Sequence, residues 1–202
     1  MKANADNNRK RKLPDIYTDI NVEICLGIDE AGRGPVLGPM VYGCAYYPFN
    51  QDEALKSKYK FNDSKKLSEE KRDKIFNKMQ DTDDLFWDVV IISPKDISNK
   101  MLRRSKYNLN IISNDAALEL LDRRLKDKVN ITKVRHILKY SIQVFVDTVG
   151  KPETYKKLFE DRFATNYYGT KIEYKVESKA DSTYPVVGAA SIAAKVINYP
   201  LF

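Results

Sequence analysis

"LGIDEAGRGPVLGP", residues 26–39, puts an acidic pair directly behind an apolar strand start and then runs three glycines and two prolines through eight residues. Leu26 and Ile28 predict a buried strand, and a carboxylate buried there without a partner costs several kcal/mol. Asp29 and Glu30 therefore need a reason to be kept. The glycines and prolines behind them lead into "MVYGCAYYP" (40–48), which is rich in β-formers. That order predicts a hairpin-like return, with the acidic pair at the end of the first strand.

Further strands follow at intervals. "WDVVIIS" (87–93) is a third, "IQVFVD" (142–147) has the continuous apolar character of a strand buried on both faces, and "KIEYKVE" (171–177) alternates like a half-exposed one. Between them the spacing predicts helices. One spans 63–79 with Ser68 as N-cap and Ile75, Phe76 and Met79 on one face. A short one starts at Pro94 after Ser93. The longest runs from Tyr107 to about Lys128 and carries Leu109, Ile112, Ala116 and Leu120 at helical spacing. Another opens at Pro152 with Tyr155, Leu158 and Phe159 inward, and the small, apolar "YPVVGAASIAAKV" (184–196) is the last. Three early strands followed by helix, strand, helix, strand and helix make an α/β layer domain with a mixed sheet. It is expected over 21–202, behind a flexible basic arm over 1–20. The basic density between Lys56 and Lys66 suits a loop facing nucleic acid, or simply solvated lysines.

The chain's 202 residues allow one sizeable domain, and 43% hydrophobic with 31% charged residues excludes a disordered chain. No apolar run approaches the roughly 20 residues of a membrane span. The N-terminus has no apolar stretch behind its charges, so it does not read as a secretory signal. Its Arg9–Lys12 cluster reads as a solvated tail or a weak nuclear address. Two cysteines, Cys25 and Cys44, and a single histidine, His136, exclude a Cys/His zinc site and suit a reduced intracellular setting. The net charge of +7 points to a polyanionic partner.

Four carboxylates stand where the local pattern does not need them: Asp29 and Glu30, Asp147 closing "VFVD", and Asp181 in "SKADSTYP". Asp181 alone would be a helix cap and Asp147 alone a turn residue. Functional groups in α/β sheets gather at strand ends, so the four are expected to converge. Their repulsion then has to be neutralised by Mg²⁺ or Mn²⁺, and two ions ~4 Å apart are the usual device for phosphodiester cleavage. The glycines behind Asp29–Glu30, with Arg33 between two of them, let backbone N–H groups approach a phosphate or ribose. His136 would have to serve any Ser–His–Asp hydrolase, but no serine elbow is present, so it reads as a surface or packing residue. Trp87 reads as packing.

On these residues "GIDEAGRGPVLGPMVYG" resembles the signature of the type 2 ribonucleases H, in particular the catalytic subunit of the eukaryotic and archaeal kind. "NDSKKLSEEKR" (62–72), "YNLNIIS" (107–113), "VFVDTVGKPETY" (144–155) and "KADSTYPVVGAASIAAKV" (179–196) follow in that family's order, covering roughly residues 22 to 196. The resemblance implies the ribonuclease H-like α/β fold, with a five-stranded mixed sheet. It also implies an endonuclease that cuts the RNA strand of RNA–DNA hybrids and incises DNA duplexes at single embedded ribonucleotides, leaving a 5′-phosphate and a 3′-hydroxyl. Asp29, Glu30, Asp147 and Asp181 would be the metal-binding catalytic carboxylates and would hold two ions, Mg²⁺ or Mn²⁺. The backbone of Gly32, Arg33 and Gly34 would read the ribose 2′-hydroxyl, and Ser64 and Lys65 would contact substrate phosphates, or else be a helix-entry serine and a solvated lysine. In eukaryotes the family implies two accessory subunits in a heterotrimer and a nuclear setting.

The chain also departs from the family. After "SIAAKV" the family continues with an Arg-Asp pair, a further helix and a tyrosine that senses the RNA–DNA junction, whereas here "INYPLF" follows. Tyr199 is not assigned that role, and Gly188 stands where relatives often have serine. The expectation is a shortened family member. The alternative is a catalytically impaired product that binds hybrids or interferes with the complex. Ala189, Ala190, Ile192, Ala193 and Val196 are expected to leave part of a helix face uncovered.

Overall fold

The computed structural model describes residues 9–10, 23–34, 38–61, 67–105, 107–132, 141–148, 150–163, 166–167 and 170–199. In chain order the elements are β1 (Arg9–Lys10), β2 (Glu23–Ala31), β3 (Met40–Pro48), α1 (Asp52–Tyr59), α2 (Glu69–Asp81), β4 (Phe86–Ile92), α3 (Pro94–Met101) and α4 (Leu109–Thr132). They continue with β5 (Ser141–Asp147), α5 (Pro152–Arg162), β6 (Asn166–Tyr167), β7 (Thr170–Glu177), α6 (Ala180–Thr183) and α7 (Pro185–Asn198). The sheet order is β1-β4-β3-β2-β5-β7-β6. β2, β3 and β4 form an antiparallel meander, and β5 and β7 run parallel to β2. The expected five long strands are thus present as a mixed sheet, and two-residue strands extend it at either edge. Arg9 and Lys10 pair with Asp88 and Trp87 on β4.

Strand alternation sorts the side chains into two cores. Ile24, Leu26 and Ile28 of β2, with Tyr42 of β3 and Val144 and Val146 of β5, pack with Ile112, Leu120 and Phe159 of α4 and α5. Cys25, Ala45 and Phe145 point to the opposite face and pack with Val187, Ala190, Ile192 and Ala194 of α7. β7 has Ile172, Tyr174 and Val176 inward and exposed Lys171, Glu173 and Lys175 outward, as its alternation predicts. A buried charge cluster ties α4 to β4. Asp88 accepts from Arg124 at 3.1 Å and faces Arg123 at 3.4 Å, and Arg124 also donates to the Tyr46 hydroxyl.

The small residues of α7 let it lie almost against the backbone of the sheet. A Cβ on Gly27 would come within 2.4 Å of the Val186 carbonyl oxygen, and one on Gly43 within 2.6 Å of that of Ala190. This corrects the expectation of an uncovered helix face. Ala189, Ala190, Ile192 and Ala193 are completely buried, and Val196 packs at the margin of the same core. The cover comes from β2 and β3 on one side and from Phe61, Phe76 and Met79 in the same cluster.

Other local expectations shift. α1 was not foreseen, because "DEALKSKY" has only Leu55 and Tyr59 as inward residues. α2 starts at Glu69, and Ser68 occupies the N-cap backbone position without a side-chain capping bond. Ser93 does cap α3, accepting from the Asp96 N–H at 3.1 Å with Pro94 in the first turn. Trp87 is buried against Phe76, with ring centroids 4.8 Å apart. His136 lies outside the described residues.

Candidate active site

Parallel pairing of β2 with β5 sets Ile28 beside Val146, so the next residue on each strand, Asp29 and Asp147, emerges at the same C-terminal edge. Alternation sends both towards α7, like Cys25 and Phe145 two positions or more earlier. The third carboxylate arrives by a tight reversal after β7. Lys179 takes left-handed backbone geometry (φ 61°, ψ 34°), a conformation that costs a non-glycine residue roughly 1–2 kcal/mol. The turn aims the Ala180 N–H at Asp147 Oδ1, 3.3 Å away, and delivers Asp181 on the first turn of α6. Carboxylate oxygens of Asp29, Asp147 and Asp181 all lie within 4.8 Å of one another, and Asp29 and Asp181 are buried.

Glu30, one residue on, points to the other face. There it stands opposite Tyr42 in the β2–β3 register, on the side of α4 and α5. It is tied to Asp29 through the backbone, since the Glu30 N–H donates to Asp29 Oδ1 at 2.8 Å. The structure therefore brings three of the four expected carboxylates into one cluster and sets the fourth against it from the opposite face of β2.

Burial and mutual repulsion govern the electrostatics. Burial raises the Asp29 carboxyl from 3.8 to about 6; a hydrogen bond from Ser191 opposes the rise and Asp147 adds to it. Burial raises Glu30 from 4.5 to about 8, with Asp29 and then Asp147 adding to the rise and Arg33 opposing it. Lys195 donates to the Ser191 hydroxyl at 2.8 Å and favours the charged form of Asp29. One lysine does not offset three clustered carboxylates. An acceptor-only oxygen set this close, with the Asp29 carboxyl held above its ordinary range by burial, fits a hard divalent cation.

The glycine loop adjoins this cluster. Gly32 has φ +78°, and a Cβ there would meet the Pro39 carbonyl oxygen at 2.2 Å and Asn198 Nδ2 at 2.7 Å, so only glycine fits. Asn198 of α7 donates to that same carbonyl at 2.7 Å. Gly34 is exposed with nothing near its Cβ position. The Arg33 side chain turns to α4, donating from Nε to Ser113 Oγ at 3.2 Å and from Nη2 to Asn110 Oδ1 at 2.5 Å. Ser64 and Lys65 lie outside the described residues. Phe61 before them is buried over α7, its carbonyl oxygen 2.8 Å from where a Cβ on Gly188 would sit, so serine at 188 would need the two segments to part. Tyr199 is 61% exposed at the end of α7.

Residue-by-residue reading missed Asn110, Ser113, Ser191, Lys195 and Asn198. Their signal lay in "YNLNIIS" and "SIAAKVIN", where polar residues interrupt helix faces that are otherwise apolar. Ser113 and Ser191 are completely buried.

The family model for Ribonuclease HII matches residues 26–199, and the chain belongs to that family. It is 49% identical over 172 residues to the A subunit of Ribonuclease H2 from Bos taurus, a match that covers 85% of this chain and 52% of that protein. It is 42% identical over 185 residues to the corresponding Ribonuclease H2 protein of Dictyostelium discoideum, covering 91% and 58%. The chain thus spans about half the length of these relatives. Among solved structures it resembles the ribonuclease HII of Archaeoglobus fulgidus, determined in complex with PCNA, at 28% identity with a TM-score of 0.64 over 87% of this chain and 72% of that one. The fold is accordingly ribonuclease H-like.

Proposed function

We propose that this chain carries the catalytic machinery of a metal-dependent endoribonuclease. Its expected substrates are the RNA strand of RNA–DNA hybrids and single ribonucleotides embedded in duplex DNA, with 5′-phosphate and 3′-hydroxyl products. The observation that carries this reading is the cluster of Asp29, Asp147 and Asp181 at the C-terminal edge of parallel strands, with Glu30 beside it. Asp29, Asp147 and Asp181, with Glu30 from the other face, are the residues that would hold Mg²⁺ or Mn²⁺, two ions in the family's manner. Bound there, the cations supply charge neutralisation and Lewis-acid activation for hydrolysis of a phosphodiester.

The protein's own groups do the rest. Ser191 and the Glu30 N–H hold the Asp29 carboxylate in place by hydrogen bonds, and the Ala180 N–H holds that of Asp147. The Gly32–Gly34 backbone, open at Gly34, is the element offered to a ribose 2′-hydroxyl, the group that separates RNA from DNA. The net charge of +7 favours a nucleic-acid backbone, and Ser64 and Lys65 are assigned to phosphate contacts. The bovine and Dictyostelium relatives are each named as one subunit of a larger enzyme, which supports assembly with accessory subunits, proposed here as a heterotrimer. A nuclear or other intracellular setting is part of the same reading. No helix among the described residues is long and apolar enough to cross a membrane.

The test is cleavage of three end-labelled substrates, an RNA–DNA hybrid, a duplex with one ribonucleotide and an all-DNA duplex, in Mg²⁺, in Mn²⁺ and in EDTA. Metal-dependent cutting of the first two alone is expected. Equal cutting of the all-DNA duplex, or cutting in EDTA, would refute the reading.

A further inference from the structure

The Arg33 guanidinium is held against α4. Its Nε and Nη2 donate to Ser113 Oγ and Asn110 Oδ1, neighbours on the first turns of α4. Ser113 is completely buried, so that end of the contact is part of the core. On the far side, Gly32 is clamped by its positive φ, by the Pro39 carbonyl oxygen and by Asn198 of α7. The Gly32–Gly34 segment is therefore pinned by a helix on each face of the sheet, and within it Gly34 stands open. Such a two-sided clamp gives a precise backbone position to a segment whose glycines would otherwise leave it loose.

We propose that Arg33 is a positioning residue: tied to Asn110 and Ser113, its guanidinium latches the Gly32–Gly34 backbone to α4 and so fixes that backbone relative to the Asp29, Asp147 and Asp181 cluster. The inference rests on the hydrolase reading above for its effect on turnover, but the latch is a property of the free protein. It assigns the arginine side chain a role apart from substrate contact, which belongs to the backbone. Lysine cannot replace it, because a single ammonium does not reproduce the fork that meets both acceptors.

The test uses the full chain and four variants: Arg33→Ala, the pair Asn110→Ala with Ser113→Ala, the triple variant and Asn110→Asp. Amide hydrogen exchange of residues 31–34 without substrate or metal is expected to quicken alike in the first three and to stay at the parent rate in Asn110→Asp, which keeps the accepting oxygen. On an RNA–DNA hybrid, kcat is expected to fall roughly ten- to a hundredfold in Arg33→Ala, the scale of a misplaced reacting group, with KM changed less than about threefold. The triple variant should lose no more than Arg33→Ala. The salt dependence of hybrid binding should keep its slope, whereas loss of a direct phosphate contact would lower it by about 0.9. Unchanged exchange in Arg33→Ala, losses that multiply in the triple variant, or a lowered salt slope would each overturn the latch. Absence of cleavage by the parent in both Mg²⁺ and Mn²⁺ would instead overturn the hydrolase reading, and exchange would still decide the latch.

Discussion

Asp29→Asn isolates the energetic consequence of the acidic cluster. In the metal-free fold the Asp29 carboxyl is raised from 3.8 to about 6, first by burial and then by Asp147. A native value above the unfolded one means that the folded state holds more protons between the two, so stability falls as pH rises through that window. Below about pH 4 the group contributes nothing, and above about pH 6 its full penalty is present. That penalty is about 3 kcal/mol, at 1.36 kcal/mol per tenfold change in proton affinity. Asparagine keeps the oxygen that accepts the Glu30 N–H and removes the charge. Relaxation around the new amide reduces the recovered energy to ~1–3 kcal/mol, or about 3–10 °C in Tm for a domain of this size. Thermal melts from pH 4 to 9 in EDTA should show the variant more stable than the parent at pH 8 and equal to it at pH 4. Added Mn²⁺ should reverse the order, because the parent alone keeps its full ligand set. A variant less stable than the parent at pH 8 in EDTA, or two pH curves that run parallel, would refute the reasoning.

Asp147→Asn should abolish hydrolysis, by roughly a thousandfold or more in single-turnover rate, while hybrid binding survives; near-parental turnover in Mg²⁺ would remove Asp147 from the site. Gly27→Ala drives a methyl against the Val186 carbonyl and should destabilise the fold by ~1–3 kcal/mol or more, read by chemical denaturation, with Asp29 displaced and metal affinity lowered as well. Binding to a hybrid should weaken steeply with salt, and a titration from 50 to 200 mM that left the affinity flat would rule out phosphate contacts as its main source.

Much of this fold was legible because its strands and helices carry strong local patterns. The stretch around Leu26 and Ile28 became a strand with the acidic pair near its end, and "MVYGCAYYP", "WDVVIIS", "IQVFVD" and "KIEYKVE" each became a strand close to its expected limits. Proline after serine marked the start of α3, and proline opened α5. Weak patterns failed: α1 has two inward residues, and Ser68 shows that a capping residue type does not guarantee a capping bond. The exposed helix face expected for α7 was an error of another kind. Its cover comes from segments far away in the chain, with Gly27 of β2 against Val186, Gly43 of β3 against Ala190, and Phe61, Phe76 and Met79 in the same core.

By itself the sequence determined the residue types of the site: carboxylates at strand ends, glycines behind them, and a small-residue helix near the end of the described chain. These are local chemical choices and can be read one segment at a time. Tertiary structure decided how they are shared out. Parallel register put Asp147 beside Asp29, and the left-handed turn at Lys179 brought Asp181 to both. Strand alternation sent Glu30 to the opposite face from its neighbour, and the packing of α4 turned Arg33 inward to Asn110 and Ser113. Register, alternation and packing join residues from separate stretches of the chain, 77 positions apart for Arg33 and Asn110, and a separation of that kind leaves no trace in any single stretch of sequence.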